Sequence, residues 1–270
     1  MKLETINVDY HFHPNLPKND KKAIKKIKKI YDKFQRANIN AVIVTEHIYK
    51  DYVRSWNLMK EHKPENFFIF PGIEYVTSEN LDIIIFSKDE EIFNLNLKPF
   101  KISYEETVKL IKNNDKLFGF ITHPLTLGWT SIINKKGLPF EKKMANELKS
   151  IEKKYIVYSK LKKFLNIPIL KNIFHNTLLK IKRGENLPSA YYPTDVRFFA
   201  TGSDAHNTWE IGNYAEVKIQ KGDIFYSIIN NEYLKTHYKP DRTNIIQDIK
   251  SLSTVFFEWC AKRYYLFTNK

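Results

Sequence analysis

Thr5-Ile6-Asn7-Val8-Asp9-Tyr10-His11-Phe12-His13 predicts the first strand of this protein, and Pro14 ends the strand because proline has no N–H to donate. Side chains two residues apart in a strand share a face, so Asp9, His11 and His13 point the same way. Two imidazoles about 7 Å apart at the end of a strand can converge on one cation. The carboxylate of Asp9 could accept a ring N–H from either of them. A polar strand end with solvated histidines is an equally good interpretation of this stretch alone.

Length and composition limit the class of protein. The 270 residues suffice for one large α/β domain or two small ones, and a hydrophobic fraction of 43% excludes wholesale disorder. The single cysteine, Cys260, excludes an internal disulfide and favours a reducing compartment. No apolar segment precedes the first strand, and no run is long enough to span a bilayer. We therefore expect a cytoplasmic protein.

The chain is strongly basic, with 44 lysines and arginines against 30 acidic residues and a net charge of +14. Most of the excess is lysine, and the few arginines are scattered, whereas recognition of phosphate by forked geometry usually uses arginine. The charge therefore favours an anionic substrate, with nucleic acid as a less favoured partner. Nothing in the sequence specifies an oligomeric state.

Strand, polar terminal residue and helix alternate along the chain. The predicted strands that end on such residues are 41–45 before Glu46-His47, 67–73 before Glu74, 118–122 before His123, and 197–201 before Gly202-Ser203-Asp204-Ala205-His206. This alternation predicts parallel strands covered by helices, with the polar residues gathered at the carboxyl ends of the strands. We expect one α/β domain over residues 1–270, folded as a barrel or a distorted barrel.

Two segments depart from the alternation. Residues 161–187 are both apolar and basic, and we interpret them as an insertion that packs on the barrel, with a membrane-surface or lid helix as the alternative. Residues 241–270 predict a C-terminal amphipathic helix. We expect this helix to dock on the body and not to anchor in a membrane, because Lys250, Glu258 and Lys262 interrupt its apolar residues.

The strand ends together collect an unusual number of imidazoles and carboxylates. A lone histidine at a strand end is usually structural, but several at successive strand ends, with acids beside them, predict a metal cluster. The sequences at these ends are DYHFHP (9–14), VTEH (44–47), PGIEY (71–75), ITHP (121–124) and GSDAH (202–206).

This ordered set resembles the PHP (polymerase and histidinol phosphatase) family, over the chain as far as about His206. The resemblance implies a distorted (β/α)7 barrel that holds two or three divalent transition-metal ions and hydrolyses phosphate esters. Amidohydrolases also begin with His-x-His on a barrel strand, but they require a metal-bridging lysine, so Glu74 and the Asp204/His206 pair favour the PHP family.

The resemblance also implies roles for single residues. The residues that it assigns to the first ion are His11, His13, Glu74 and Asp204. Glu74 would bridge to a second ion that His123 also binds, and His47 and His206 would bind a third. Asp9 and Glu46 would support the ligands. The residues at the reaction centre would be Glu74, His123, Asp204 and His206.

The chain departs from the family pattern at two points. Asp82 stands where many members have a histidine, and we predict that it is a metal ligand, with an exposed aspartate at the start of a strand as the alternative. Many members also carry a Ser-Asp pair shortly after His-x-His, for which Asp20 is only a displaced candidate.

We therefore expect a metal-dependent hydrolase of a small phosphomonoester, using zinc, manganese or iron. The alternative within this class is a nuclease or nucleotide phosphatase. The alternative of another class is a non-catalytic, metal-binding interaction module.

Overall fold

A computed structural model describes residues 4–122, 136, 138–152, 197–231, 235–237 and 245–268. The strands are β1 (Thr5–Phe12), β2 (Ala41–Val44), β3 (Phe68–Val76), β4 (Asp82–Ser87), β5 (Leu117–Ile121), β6 (Ser150–Glu152), β7 (Phe198–Ala200), β8 (Tyr214–Lys218) and β9 (Lys235–His237). The α-helices are α1 (Asp20–Arg36), α2 (Tyr52–Glu61), α3 (Tyr104–Lys112), α4 (Leu138–Leu148), α5 (Ile224–Ile229) and α6 (Ile245–Thr268), and a 3₁₀ helix spans Glu90–Leu95.

The nine described strands form one mixed sheet in the order β7-β6-β5-β4-β3-β2-β1-β8-β9. Strands β1, β2 and β3 are parallel to one another, and so are β5, β6 and β7. Strand β4 runs antiparallel to both of its neighbours, and β8 runs antiparallel to β1 and β9. The sheet is curled, because the chain that follows β7 returns to β1. There the Tyr10 N–H donates to the Thr201 carbonyl at 3.1 Å, and the Asp204 N–H donates to the His11 carbonyl at 2.7 Å.

The predicted (β/α)7 barrel is wrong, although the α/β class holds. The curled sheet with flanking helices is a half-barrel, in which strands and helices do not alternate throughout. The clearest departure lies between β3 and β4, which a tight turn joins directly. In this turn the Thr77 N–H donates to the Leu81 carbonyl at 2.9 Å, and Asn80 adopts a left-handed φ of 58°. Asparagine tolerates that conformation better than most residues, so residues 77–81 reverse the chain without a crossover helix.

Aromatic side chains fill the interior of the curled sheet. Tyr10 lies at its centre, stacked on Phe198 and edge-on to Phe120, with ring centroids 6.1 and 6.4 Å apart. On the outer face, α1 packs Ile27 and Phe34 among side chains of β2. The sheet is therefore apolar on both faces through its middle, which leaves polar side chains to the strand ends.

Two helices show how local sequence specifies structure. Helix α3 begins with a capping box, since the Glu106 N–H donates to Ser103 Oγ and the Ser103 N–H donates to Glu106 Oε2. Helix α6 corresponds to the predicted C-terminal helix. The predicted insertion at 161–187 lies outside the described residues. Among the described residues, no helix is both long and apolar enough to cross a bilayer.

Candidate metal centre

Hydrogen bonds between strand ends, from backbone and side-chain groups, bring the predicted cluster together. Thr45 Oγ1, just after β2, bonds to both the N–H and the carbonyl of Phe12, at 3.0 and 3.1 Å. The Glu74 N–H donates to the Glu46 carbonyl at 3.2 Å, which holds the end of β2 beside β3. Together with the Asp204–His11 bond, these contacts place four chain segments around one point.

The first group consists of two imidazoles and two carboxylates. His11 Nε2 and His13 Nε2 lie 3.0 Å apart, and each lies within 3.3 Å of Asp204 Oδ1. Glu74 Oε2 lies 3.3 Å from His13 Nε2, and Glu74 Oε1 lies 3.7 Å from His11 Nε2. Ligands bonded to one cation at about 2.0–2.1 Å in tetrahedral geometry are separated by roughly 3.3 Å. The four side chains therefore fit a single divalent ion, in donor type and in spacing.

The second group is centred on His47 and His206, whose Nε2 atoms lie 3.2 Å apart. Glu258 of α6 reaches both rings, with Oε2 2.8 Å from His206 Nε2 and 3.5 Å from His47 Nε2. His47 Nδ1 lies 2.7 Å from Glu74 Oε2, so Glu74 connects the two groups. The sequence did not indicate Glu258 as a member of this cluster.

The environment of the second group favours positive charge. Burial alone would lower the pKa of His47, but Glu74 and Glu258 outweigh it and raise the pKa to about 10. Burial opposes charge on His206 too, yet Glu258 and Asp204 raise its pKa. Conversely, the histidines overcome the effect of burial on Glu258 and hold its pKa well below the ordinary range. Excess negative charge gathered around ring nitrogens is what a cation site requires.

Asp9 and Glu46 lie behind the two groups. Asp9 Oδ1 accepts the Ser203 N–H at 2.9 Å and Oδ2 accepts the Ser203 hydroxyl at 2.5 Å, which fixes the loop before Asp204 to β1. Burial raises the pKa of Asp9 to about 7, against these hydrogen bonds. Glu46 Oε1 lies 3.6 Å from His13 Nδ1, and Glu46 Oε2 accepts the Asn15 N–H at 2.6 Å.

Three other residues were named from the sequence as possible metal ligands. Asp82 Oδ1 contacts a cation, but that cation is the ammonium of Lys262 on α6, at 2.7 Å. Asp20 is 69% exposed and pairs with Arg54 at 2.6 Å. His123 lies outside the described residues.

A cavity of about 530 Å³ adjoins the cluster at Glu46. Three cationic side chains, Lys18, Lys50 and Arg54, line it together with Tyr49. Lys50 Nζ is held 2.7 Å from Glu258 and 3.4 Å from Glu46, and these acids raise its pKa against the effect of burial. The cavity therefore presents cationic side chains beside the cluster, together with the carboxylates of Glu46 and Asp51.

Comparisons with known proteins address the fold. No family model matches the chain, and no curated protein is similar to it in sequence. Among solved structures, the crystal structure of PsfC from Pseudomonas syringae PB-5123 is similar, with a TM-score of 0.59 and 15% identity. The similarity covers 94% of this chain and all of PsfC. At this identity the likeness shows a shared fold alone.

Proposed function

We propose that this protein is a metal-dependent phosphoesterase of the PHP type that hydrolyses a small phosphomonoester. One observation carries the proposal, namely the convergence of four imidazoles with three carboxylates at the carboxyl ends of strands and on α6. Their neighbouring ligand atoms lie 2.7–3.7 Å apart. The residues that would hold ions, within the described part of the chain, are His11, His13, His47, Glu74, Asp204 and His206.

Divalent zinc, manganese or iron in such a site stabilises negative charge on phosphate oxygens and lowers the pKa of water. The protein's own contribution is to hold the ligands rigidly. His11, His13 and Glu74 are almost completely buried, and Asp9 and Glu46 fix the segments that carry them. For His123, a ligand role is proposed from the resemblance alone. Asp82 is not included, because its carboxylate pairs with the Lys262 ammonium at 2.7 Å.

The cavity beside the cluster supports a phosphorylated substrate of small size. A volume of about 530 Å³ suits a compact molecule, and Lys50 and Arg54 provide cationic partners for a phosphate group. Because Lys50 is itself held by Glu46 and Glu258, its ammonium is positioned before the substrate arrives. Preorganised charge of this kind binds without a further cost in side-chain entropy.

A nuclease or nucleotide phosphatase is a second candidate, supported by a basic groove along α1. Lys22, Lys25, Lys26 and Lys29 line this groove with Trp209. Lys26 Nζ lies 3.3 Å from the His206 carbonyl, so the groove leads to the cluster. Cationic side chains next to an indole suit a strand of nucleic acid, in which bases stack and phosphates pair.

We propose a cytoplasmic location for the protein. The single cysteine, Cys260, is half-buried on α6, and a chain without a disulfide suits the reducing cytoplasm.

A substrate panel tests the proposal. Protein stripped with a chelator receives manganese, zinc or iron, and phosphate release is measured from small phosphomonoesters, nucleotides and oligonucleotides. We expect turnover of a small phosphomonoester only with added metal. His13→Ala should lower the rate more than about 100-fold, because replacing even a residue that only hydrogen-bonds to a metal ligand lowers metal affinity or activity by about 10–100-fold. The matched control is His237→Ala, whose ring pairs with Glu216 at 3.0 Å and should retain full activity.

The outcomes separate the three hypotheses. Preference for oligonucleotides over small esters would favour the nuclease. Metal binding without hydrolysis of any ester would favour the non-catalytic module.

A further inference from the structure

Helix α6 turns two charged side chains toward the body and leaves several aromatic ones exposed. Glu258 and Lys262 are one helical turn apart on the inward face, and Lys262 is only 8% exposed. On the outward face, Phe257 is 68% exposed and Tyr264 is 71% exposed. Buried charges need partners, so the partners of Glu258 and Lys262 help to fix the position of α6, together with polar contacts such as that from Trp209 Nε1 to Ser251 Oγ at 3.2 Å.

Glu258 meets the second histidine group. Its Oε2 and the Nε2 atoms of His47 and His206 form a triangle with sides of 2.8, 3.5 and 3.2 Å. These separations bracket the roughly 3.3 Å expected of three tetrahedral ligands of one ion. Lys262, one turn along, pairs with Asp82 at 2.7 Å and holds the helix in register over the cluster.

We propose that Glu258 is a metal ligand, which completes the His47–His206 ion site from the C-terminal helix. The inference rests on the metal centre of the proposed function, but not on the reaction. Glu258 provides the carboxylate that Asp20 does not, because Asp20 pairs with Arg54 on the surface. The ion then links α6 to the ends of β2 and β7.

Two interpretations of the Glu258 contacts predict opposite effects of metal on α6. If Glu258 is a ligand, the ion fastens α6 to the body, and the amides of 245–268 exchange more slowly with metal than with chelator. If Glu258 is only a counter-ion for the two histidines, the ion displaces it and loosens the helix, so that exchange becomes faster. The sign of the change therefore separates the two.

The experiment combines hydrogen exchange with metal stoichiometry on the full chain. For the wild type we expect metal to slow exchange in α6 by roughly tenfold or more, by coupling helix opening to loss of the ion. In Glu258→Gln this protection should vanish, and the protein should bind one ion fewer, or bind it more than about 100-fold more weakly. The matched control is Glu216→Gln, which also removes a glutamate that pairs with a histidine, and it should behave as wild type.

Each outcome bears on one claim. Faster exchange in α6 with metal, or an unchanged ion count and affinity in Glu258→Gln, overturns the ligand role and leaves the proposed function intact. A wild-type protein that binds less than one ion per chain contradicts the metal centre itself. If Glu258→Gln fails to fold, Glu258→Asp serves in its place, and it should bind the same ions with weaker affinity because its carboxylate is one methylene shorter.

Discussion

Replacing Gly202 with alanine should disrupt the candidate metal centre from a position that contacts no ion. Gly202 packs against β1, and an added Cβ would lie 2.3 Å from His11 Cβ and 2.5 Å from the His11 nitrogen. An ordinary contact needs at least about 3.4 Å, so the two segments must separate by roughly 1 Å. They cannot do so freely, because hydrogen bonds join Tyr10 to Thr201 and His11 to Asp204.

The cost follows from these contacts. Overpacking costs about 1–3 kcal/mol and each weakened hydrogen bond about 1 kcal/mol, so the free energy of unfolding should fall by about 2–4 kcal/mol. For a chain of this size that corresponds to a drop in Tm of about 5–15 °C. The same 1 Å separates Asp204 from His11, although metal–ligand bonds tolerate only about 0.2 Å. We therefore expect loss of the first ion and a fall in rate on the order of 100-fold.

Thermal unfolding and elemental analysis test this prediction, with Gly222→Ala as the control. Gly222 has a φ of +67° and no atom within 4 Å of an added Cβ, so alanine there costs only backbone strain of about 1–2 kcal/mol. Gly222→Ala should therefore keep its full metal content. A Gly202→Ala protein with wild-type Tm and metal content would refute the close approach on which the argument rests.

Three further predictions concern single side chains. Asp82→Ala leaves the Lys262 ammonium buried without this partner, so the free energy of unfolding should fall by about 3–5 kcal/mol. The double variant Asp82→Leu/Lys262→Met, which removes both charges, should recover most of this loss. An Asp82→Ala protein as stable as wild type would show that the Asp82–Lys262 ion pair does not stabilise the fold. Lys50→Met should raise KM more than it lowers kcat, and the opposite pattern in steady-state kinetics would place Lys50 at the reaction centre instead. His47, with a pKa of about 10, is protonated at neutral pH and must lose its proton to bind an ion, so metal affinity measured by calorimetry should rise at least about tenfold per unit from pH 7 to 9. An affinity independent of pH would show that His47 is already neutral at pH 7 and would contradict the raised pKa.

The sequence predicted the local chemistry of the strand ends better than the topology. His11 and His13 could be placed together because residues two apart in a strand share a face. The barrel prediction failed at residues 77–81, although the sequence there indicates a hairpin. A parallel crossover needs about ten or more residues, and so short a connection allows only an antiparallel hairpin. Asn80 also indicates a tight turn at this point, because asparagine tolerates the left-handed conformation that it adopts there.

Glu258 could not have been predicted from local sequence. It is separated from His47 by more than two hundred residues and from β7 by the whole of β8, α5 and β9. Glu258 and Lys262, four residues apart on a helix, are typical of a solvated ion pair, and we took them as interruptions of an apolar face. Only the docking of α6 turns both charges inward, and docking depends on tertiary contacts that no local pattern encodes.

Elemental analysis of the wild-type protein, purified from medium supplemented with manganese, zinc and iron, is the most direct test of the metal centre. On the proposed assignment, His11, His13, Glu74 and Asp204 would bind one ion, and His47 and His206 would bind another. We predict two or three transition-metal ions per chain. Fewer than one ion per chain, in protein that remains folded, would contradict the account.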